Sequence, residues 1–339
     1  MTDERKFAVL QAIINDYVAT EEPVGSRALV ERHNLKVSPA TIRNDMAALE
    51  DEGLIVQPHT SAGRIPTEQG YRYFVDRLNE VRPLSPAEQA AISKFLSGAV
   101  DLDDVMQRTV RLLAQMTGQV ALVKYPSLSK SILRHFDLVL LNEKRLMIML
   151  VANTGRLEQA VLETQDEISS ELIDEVRNKI KNKISDKKFS EIRNLIVELS
   201  QEFNLSKRPL IDSILDLVRD TAIEPEERRI AVGGASNLVR LDPEFSKTLL
   251  PVLDQIEENV VLLRLLGELS SAENLKVSIG SENMLENFKT ASVISSGYVS
   301  KEVVSQLGIV GPTRMDYPNT ISSVSAVARY LGKILSNGS

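Results

Sequence analysis

Val37-Ser38-Pro39-Ala40-Thr41-Ile42-Arg43-Asn44-Asp45-Met46-Ala47-Ala48-Leu49-Glu50 is the stretch on which the fold turns. Ser38 is an N-cap residue, and Pro39 occupies the first helical position, where its missing N–H costs nothing. Ile42, Met46 and Leu49 recur at i, i+4 and i+7, so they face a core, leaving Thr41, Arg43, Asn44 and Ala47 on other faces. Upstream, Phe7, Leu10, Ile13, Ile14, Tyr17 and Val18 mark an amphipathic first helix, broken by Pro23 and Gly25. Ser26 is a cap for a short second helix from Arg27 to about His33. Downstream, Gly53 stops the third helix. Leu54–Gln57 and Arg64–Pro66 then read as two strands around the tight loop 58–63. Three helices followed by a two-strand hairpin make a winged helix-turn-helix.

Charge placement bears on the partner. Net charge over the 339 residues is −7, so no global positive field exists and any nucleic-acid contact must come from a local patch. Residues 1–82 carry 10 Lys/Arg against 13 Asp/Glu, yet 33–44 and 53–67 contain Lys36, Arg43 and Arg64 and no acid. Those windows are the entry to the recognition helix and the wing, the two elements that meet phosphates. Winged helices also serve protein partners; the acid-free windows favour double-stranded DNA. Read that way, Arg43 is the candidate for bidentate contact to a guanine and Asn44 for pairing with an adenine. Ser38 and Thr41 are phosphate donors at the helix N-terminus, with Lys36 and Arg27 as phosphate anchors. In the wing, His59, Thr60, Ser61 and Arg64 lie along the backbone or the minor groove.

Other chemistries are poorly supported. The absence of cysteine removes disulfides, thiol nucleophiles and Cys-ligated metal sites. The histidines, His33, His59 and His135, are far apart, with no metal or triad spacing. Gly233-Gly234 lacks the spacing of a phosphate loop. Neither catalysis nor a cofactor is expected. The longest apolar run, 146–152, is far short of a membrane helix, and the polar N-terminus carries no signal-peptide core, so a cytoplasmic location is expected.

The rest of the chain reads as an α+β assembly. A proline-punctuated linker at 83–86 precedes a helix over 101–118. Strand patterns follow at 119–125, 132–141, 145–153 and 156–163, implying an antiparallel meander. After Asp166 the period becomes helical. Residues 166–228 hold 11 basic and 15 acidic side chains, with apolar stripes expected to pack on one another and on a second copy. The alternative is a self-contained helical excursion with no interface. Strands return at 275–279, 291–299 and 303–310, before a final helix from about 319 to 335. Thr313, Arg314, Asp316 and Tyr317 line a small-molecule pocket, or else Arg314 and Asp316 bond local backbone at the strand–helix junction.

Three strings carry a family resemblance: Glu22-Pro23-Val24-Gly25-Ser26, the stretch Val37–Met46, and Gln57-Pro58-His59-Thr60-Ser61-Ala62-Gly63-Arg64-Ile65-Pro66-Thr67. With Gly70–Asp76 and Gly308-Ile309-Val310-Gly311-Pro312-Thr313-Arg314-Met315-Asp316-Tyr317, the chain resembles the bacterial heat-inducible transcription repressor HrcA family over nearly its whole length. The resemblance implies a homodimer on an inverted-repeat operator upstream of chaperone operons, kept active by a GroEL-type chaperonin. It also implies a winged helix (1–82), a linker and connecting helix (83–118), and a GAF-like antiparallel α/β sheet domain in two parts (119–165 and 229–339). An inserted helical dimerisation segment (166–228) would separate the two parts. The competing reading is a ligand-responsive regulator whose GAF-like domain binds a metabolite.

Overall fold

The computed structural model describes residues 3–59, 63–78, 84–126, 131–153, 155–197, 199–222, 230–240, 275–300 and 303–337. Helices α1 (Asp3–Thr20), α2 (Ser26–Arg32) and α3 (Pro39–Asp51) precede the short strands β1 (Ile55–Val56) and β2 (Ile65–Pro66) and helix α4 (Glu68–Asp76). Ser38 caps α3 by accepting the Thr41 N–H at 3.1 Å. Gly25, not Ser26, holds the cap position of α2, because the preceding residue is in strand: Val24 and Arg64 exchange two backbone hydrogen bonds of 2.9 Å. That isolated bridge ties the turn before α2 to the wing. Gly63 permits it, since a Cβ there would lie 2.4 Å from the Val24 carbonyl oxygen.

Helix α5 (Pro86–Ser97) stands in the segment read as linker. Its signal was present: Ser85 and Glu88 form a reciprocal capping box, with Pro86 in the first turn. Helix α6 (Leu102–Thr117) leads into β3 (Val120–Lys124).

The sheets divide differently from the expected domain boundaries. Strand β3 joins β7 (Ile230–Gly233), β8 (Lys276–Ile279), β9 (Ala291–Ser300) and β10 (Val303–Pro312) in a five-stranded antiparallel sheet of order β7-β3-β10-β9-β8. Helix α6 and the C-terminal helix, α11 (Tyr317–Asn337), pack on it, and the short α10 (Ala235–Arg240) follows β7. Strands β4 (Leu133–Asn142), β5 (Arg145–Ala152) and β6 (Leu157–Glu163) form a separate three-stranded sheet, packed on α7 (Ser170–Ile184) and α9 (Arg208–Ala222), with α8 (Phe189–Leu195) against both helices. The interruption of the larger sheet therefore falls after β3, near residue 126, not at 165.

The reason lies in two separate cores. Phe136, Leu138, Ile148 and Leu150 pack with Ile173, Val176, Ile180, Ile211, Ile214 and Val218 in one cluster. The apolar stripes of 166–228 are thus covered by β4–β6 of their own chain and do not require a second copy. A different cluster runs without a break from the winged helix (Leu10, Leu29, Ile42, Phe74) through α6 to the five-stranded sheet and α11. Among the described residues no helix is long and apolar enough to cross a membrane.

Three tyrosines in the larger core give the fold an alkaline limit. Burial pushes the phenols of Tyr71, Tyr298 and Tyr317 well above the ordinary tyrosine range. The folded state keeps them neutral, while the unfolded chain ionises them near pH ~10. Their contribution is therefore complete below that pH and declines above it. Thermal midpoints should fall steadily between pH 9.5 and about 11; midpoints unchanged across that range would contradict this account.

Candidate nucleic-acid interface

The outward stripe of α3 is made by Ala40, Arg43, Asn44 and Ala47, all exposed and spaced i, i+3, i+4 and i+7. Two long polar side chains flanked by alanines suit an element that must approach a groove closely: Arg and Asn read base edges, and a methyl group meets thymine. Ala40 escaped the sequence reading, although the helical spacing pointed to it. The opposite face is fixed from beneath. Ile42, Met46 and Leu49 are buried, and the buried Asp45 accepts two hydrogen bonds of 2.9 Å from Arg5 on α1. That pair joins residues 40 apart and had no local signal.

Internal pairing explains how an acidic unit presents a basic face. Asp16 takes His33 at 2.8 Å and Arg32 at 3.2 Å, Glu31 takes Arg27 at 3.1 Å, and Glu52 takes Lys6. Glu50, in the last turn of α3, takes Arg64 at 2.8 Å. Arg72 pairs with Asp76 and Glu282, and Arg77 lies 3.6 Å over the Tyr73 ring. Among the described residues of the winged helix, only Lys36 and Arg43 are cations without an ion pair or ring contact. Field lines that carboxylates would otherwise terminate are left to these two, on the side that α3 turns outward.

The other candidates divide clearly. Lys36 is exposed in the turn before α3 and holds a left-handed backbone, φ 54°. The Ser38 and Thr41 hydroxyls lie 2.9 Å apart at the helix start, so Ser38 is first a cap. Arg27 is exposed in a surface pair with Glu31, an interaction weak enough for a phosphate to displace. His59 is exposed at the entrance to the wing; Thr60 and Ser61 lie outside the described residues. Arg64, a candidate for the DNA backbone, ties the wing to α3 through Glu50, because its strand runs beside that helix end.

Near the C-terminus, the residues at 313–317 are engaged within the protein. Arg314 reaches Glu21 at 2.7 Å, Asp316 accepts the Asn319 N–H at 3.1 Å, and the Tyr317 hydroxyl meets Ser292 at 2.7 Å and the Thr313 carbonyl at 2.8 Å. Asp316 thus bonds local backbone as the second reading had it, whereas Arg314 does not and reaches the winged helix at Glu21.

A winged helix with an outward Arg/Asn stripe, packed on an α/β sheet domain, defines a DNA-binding transcription regulator. Comparisons with known proteins narrow the class. A model described as "HrcA protein C terminal domain" matches residues 103–321, and a "DeoR-like helix-turn-helix domain" matches 11–68. The chain is 50% identical over 334 residues to a "Heat-inducible transcription repressor HrcA" of Thermobifida fusca, covering 98% of this chain and 97% of that one. It is likewise 50% identical over 336 residues to the protein of the same name from Streptomyces avermitilis, covering 99% of each. A solved structure titled "Crystal structure of a hypothetical protein at 2.2 A resolution" shares the fold over the whole of both chains, with TM-score 0.66 at 22% identity. The chain belongs to the heat-inducible transcription repressor HrcA family.

Proposed function

We propose that this chain represses chaperone operons as a homodimer bound to an inverted-repeat operator, with α3 of each copy in the major groove. The observation that carries the reading is the stripe Ala40, Arg43, Asn44 and Ala47 beside the unpaired Lys36, on a unit whose other described cations are consumed internally. Arg43 and Asn44 read bases. Lys36, the Ser38 and Thr41 hydroxyls and, after leaving Glu31, Arg27 hold phosphates. His59, Thr60 and Ser61 follow the backbone from the wing, and Arg64 keeps that wing at a fixed distance from α3.

So few cations make single-site binding weak, and joining two half-sites in one dimer multiplies the affinity. The inserted unit offers a face for that purpose. On the side of the three-stranded sheet away from α7–α9, the register aligns Val139 with Met147 and Val161, and Val151 with Leu157, while the row between sets Met149 between Asp137 and Gln159, so the apolar face carries a polar margin on both edge strands. Leu157 and Val161 are 46% and 45% exposed. An apolar sheet face of this kind suits burial against its own copy. Heat acts by melting the small inserted unit and releasing the dimer. A GroEL-type chaperonin then restores the repressor, a step whose support is the family resemblance.

Replacing Lys36 by Ala should weaken binding to operator and random DNA alike. It should also lower the slope of log affinity against log salt by about 2 for a dimer, one phosphate at each half-site. An affinity loss confined to operator DNA would remove Lys36 from the phosphate contacts.

A further inference from the structure

Helix α4 closes the winged helix and lies against β8 of the sheet domain. At this junction, Arg72 donates from Nε to Glu282 Oε1 at 2.7 Å, from Nη2 to the second Glu282 oxygen, and from the same nitrogen to the Val277 carbonyl at 2.8 Å. One turn earlier, the Glu68 carboxylate accepts both the backbone N–H and the hydroxyl of Ser281, at 3.0 and 2.6 Å. Glu282 is itself held by the Ile279 N–H at 2.9 Å. The carboxylate of Glu68 rests directly on Gly280, where a Cβ would lie 2.0 Å from its oxygen. A second attachment, Arg314 to Glu21 at 2.7 Å, joins the start of α11 to the turn after α1. The Tyr71 and Tyr317 rings fill the space beneath, 5.6 Å apart.

We propose that Glu68 and Arg72, through Ser281 and Glu282, are positioning residues that fix the orientation of the winged helix on the sheet domain and so set the spacing of operator half-sites the dimer accepts. The inference rests on the dimeric operator reading above. None of the four residues lies on the outward stripe of α3, so they act on where the reading head stands and not on what it reads. A reading head on a slack tether tolerates changes of spacing, since the cost of spanning a gap grows slowly with its length. One clamped at two separate places does not. Each added base pair shifts the second half-site by about 3.4 Å and rotates it by roughly 35°.

The test measures binding of the full chain to its operator, to operators with 1, 2 or 5 base pairs inserted between half-sites, and to a single half-site. The wild-type protein should lose on the order of 100-fold in affinity when 2 base pairs are inserted. Glu68→Ala with Arg72→Ala, which leaves the Arg314–Glu21 attachment and the shared apolar core in place, should bind the single half-site as wild type does, bind the native operator less tightly, and lose several-fold less on insertion than the wild type does. Gly280→Ala, which displaces Glu68 from the sheet side without changing a charge, should reproduce that relaxed spacing, and Arg72→Lys should restore part of the discrimination. Unchanged spacing discrimination in both variants would overturn the proposal, as would parallel loss of half-site binding. A wild-type protein that binds the full operator no better than one half-site would instead overturn the dimeric reading, and this proposal with it.

Discussion

Arg43→Ala should cost about 1–3 kcal/mol of operator affinity at each half-site and nearly equalise binding to operator and to operator altered at the base Arg43 contacts. Two half-sites engaged together double the loss, so a tight operator complex becomes comparable with non-specific binding. The size follows from geometry. The Arg43 side chain is exposed and makes no intramolecular hydrogen bond among the described residues, so nothing must be broken before it meets a guanine. Its helix is braced beneath by Arg5–Asp45 and at its end by Arg64–Glu50, so little ordering entropy remains to be lost on binding. Competition binding against single-base operator variants measures this. Equal losses on operator and random DNA would remove Arg43 from base reading and make it a phosphate contact.

Phe136→Ala should lower the first thermal transition by ~12 °C or more while leaving the second in place. Phe136 on β4 is 1% exposed in the core shared by β4–β6 and α7–α9. Truncating a buried phenylalanine costs about 3–5 kcal/mol, and a unit of ~90 residues moves roughly 4–8 °C for each kcal/mol. The winged helix and five-stranded sheet draw on a separate core, so they should retain their own transition and their single half-site affinity. Full-operator binding should fail at the lower temperature, because the proposed dimer is held by the inserted unit. Calorimetry with half-site and full-operator titrations separates these effects. One cooperative transition that shifts as a whole would contradict the division into two cores.

The recognition helix was legible because its information is local: cap, proline and apolar spacing lie within fourteen residues, and the outward residues follow by subtraction. Most strand positions were legible for the same reason, although β7, four residues ending in Gly233, was not read as a strand, and the strands' partners were not legible. Period-2 patterning marks β3 and β4 alike, and nothing local says that β3 pairs with β10, nearly two hundred positions away, while β4 turns to β5. The run 146–152 did hold a clue. A strand apolar on both faces expects cover on both, and β5 has α9 on one side and an open apolar patch on the other. The Arg64–Glu50 pair was equally hidden, because its two residues lie on different elements with no shared local pattern. The contacts of Glu68, Arg72 and Arg314 across the winged helix and sheet domain join residues more than two hundred apart and left no pattern in the sequence.

The proposed repressor reads its operator with this winged helix in a dimer. Fluorescence anisotropy of the full chain on the inverted repeat upstream of its own chaperone operon, against a scrambled duplex of equal length and charge, tests it most directly. Binding should be at least about 1,000-fold tighter to the repeat than to the scramble at physiological salt. Equal affinity for both duplexes would contradict it.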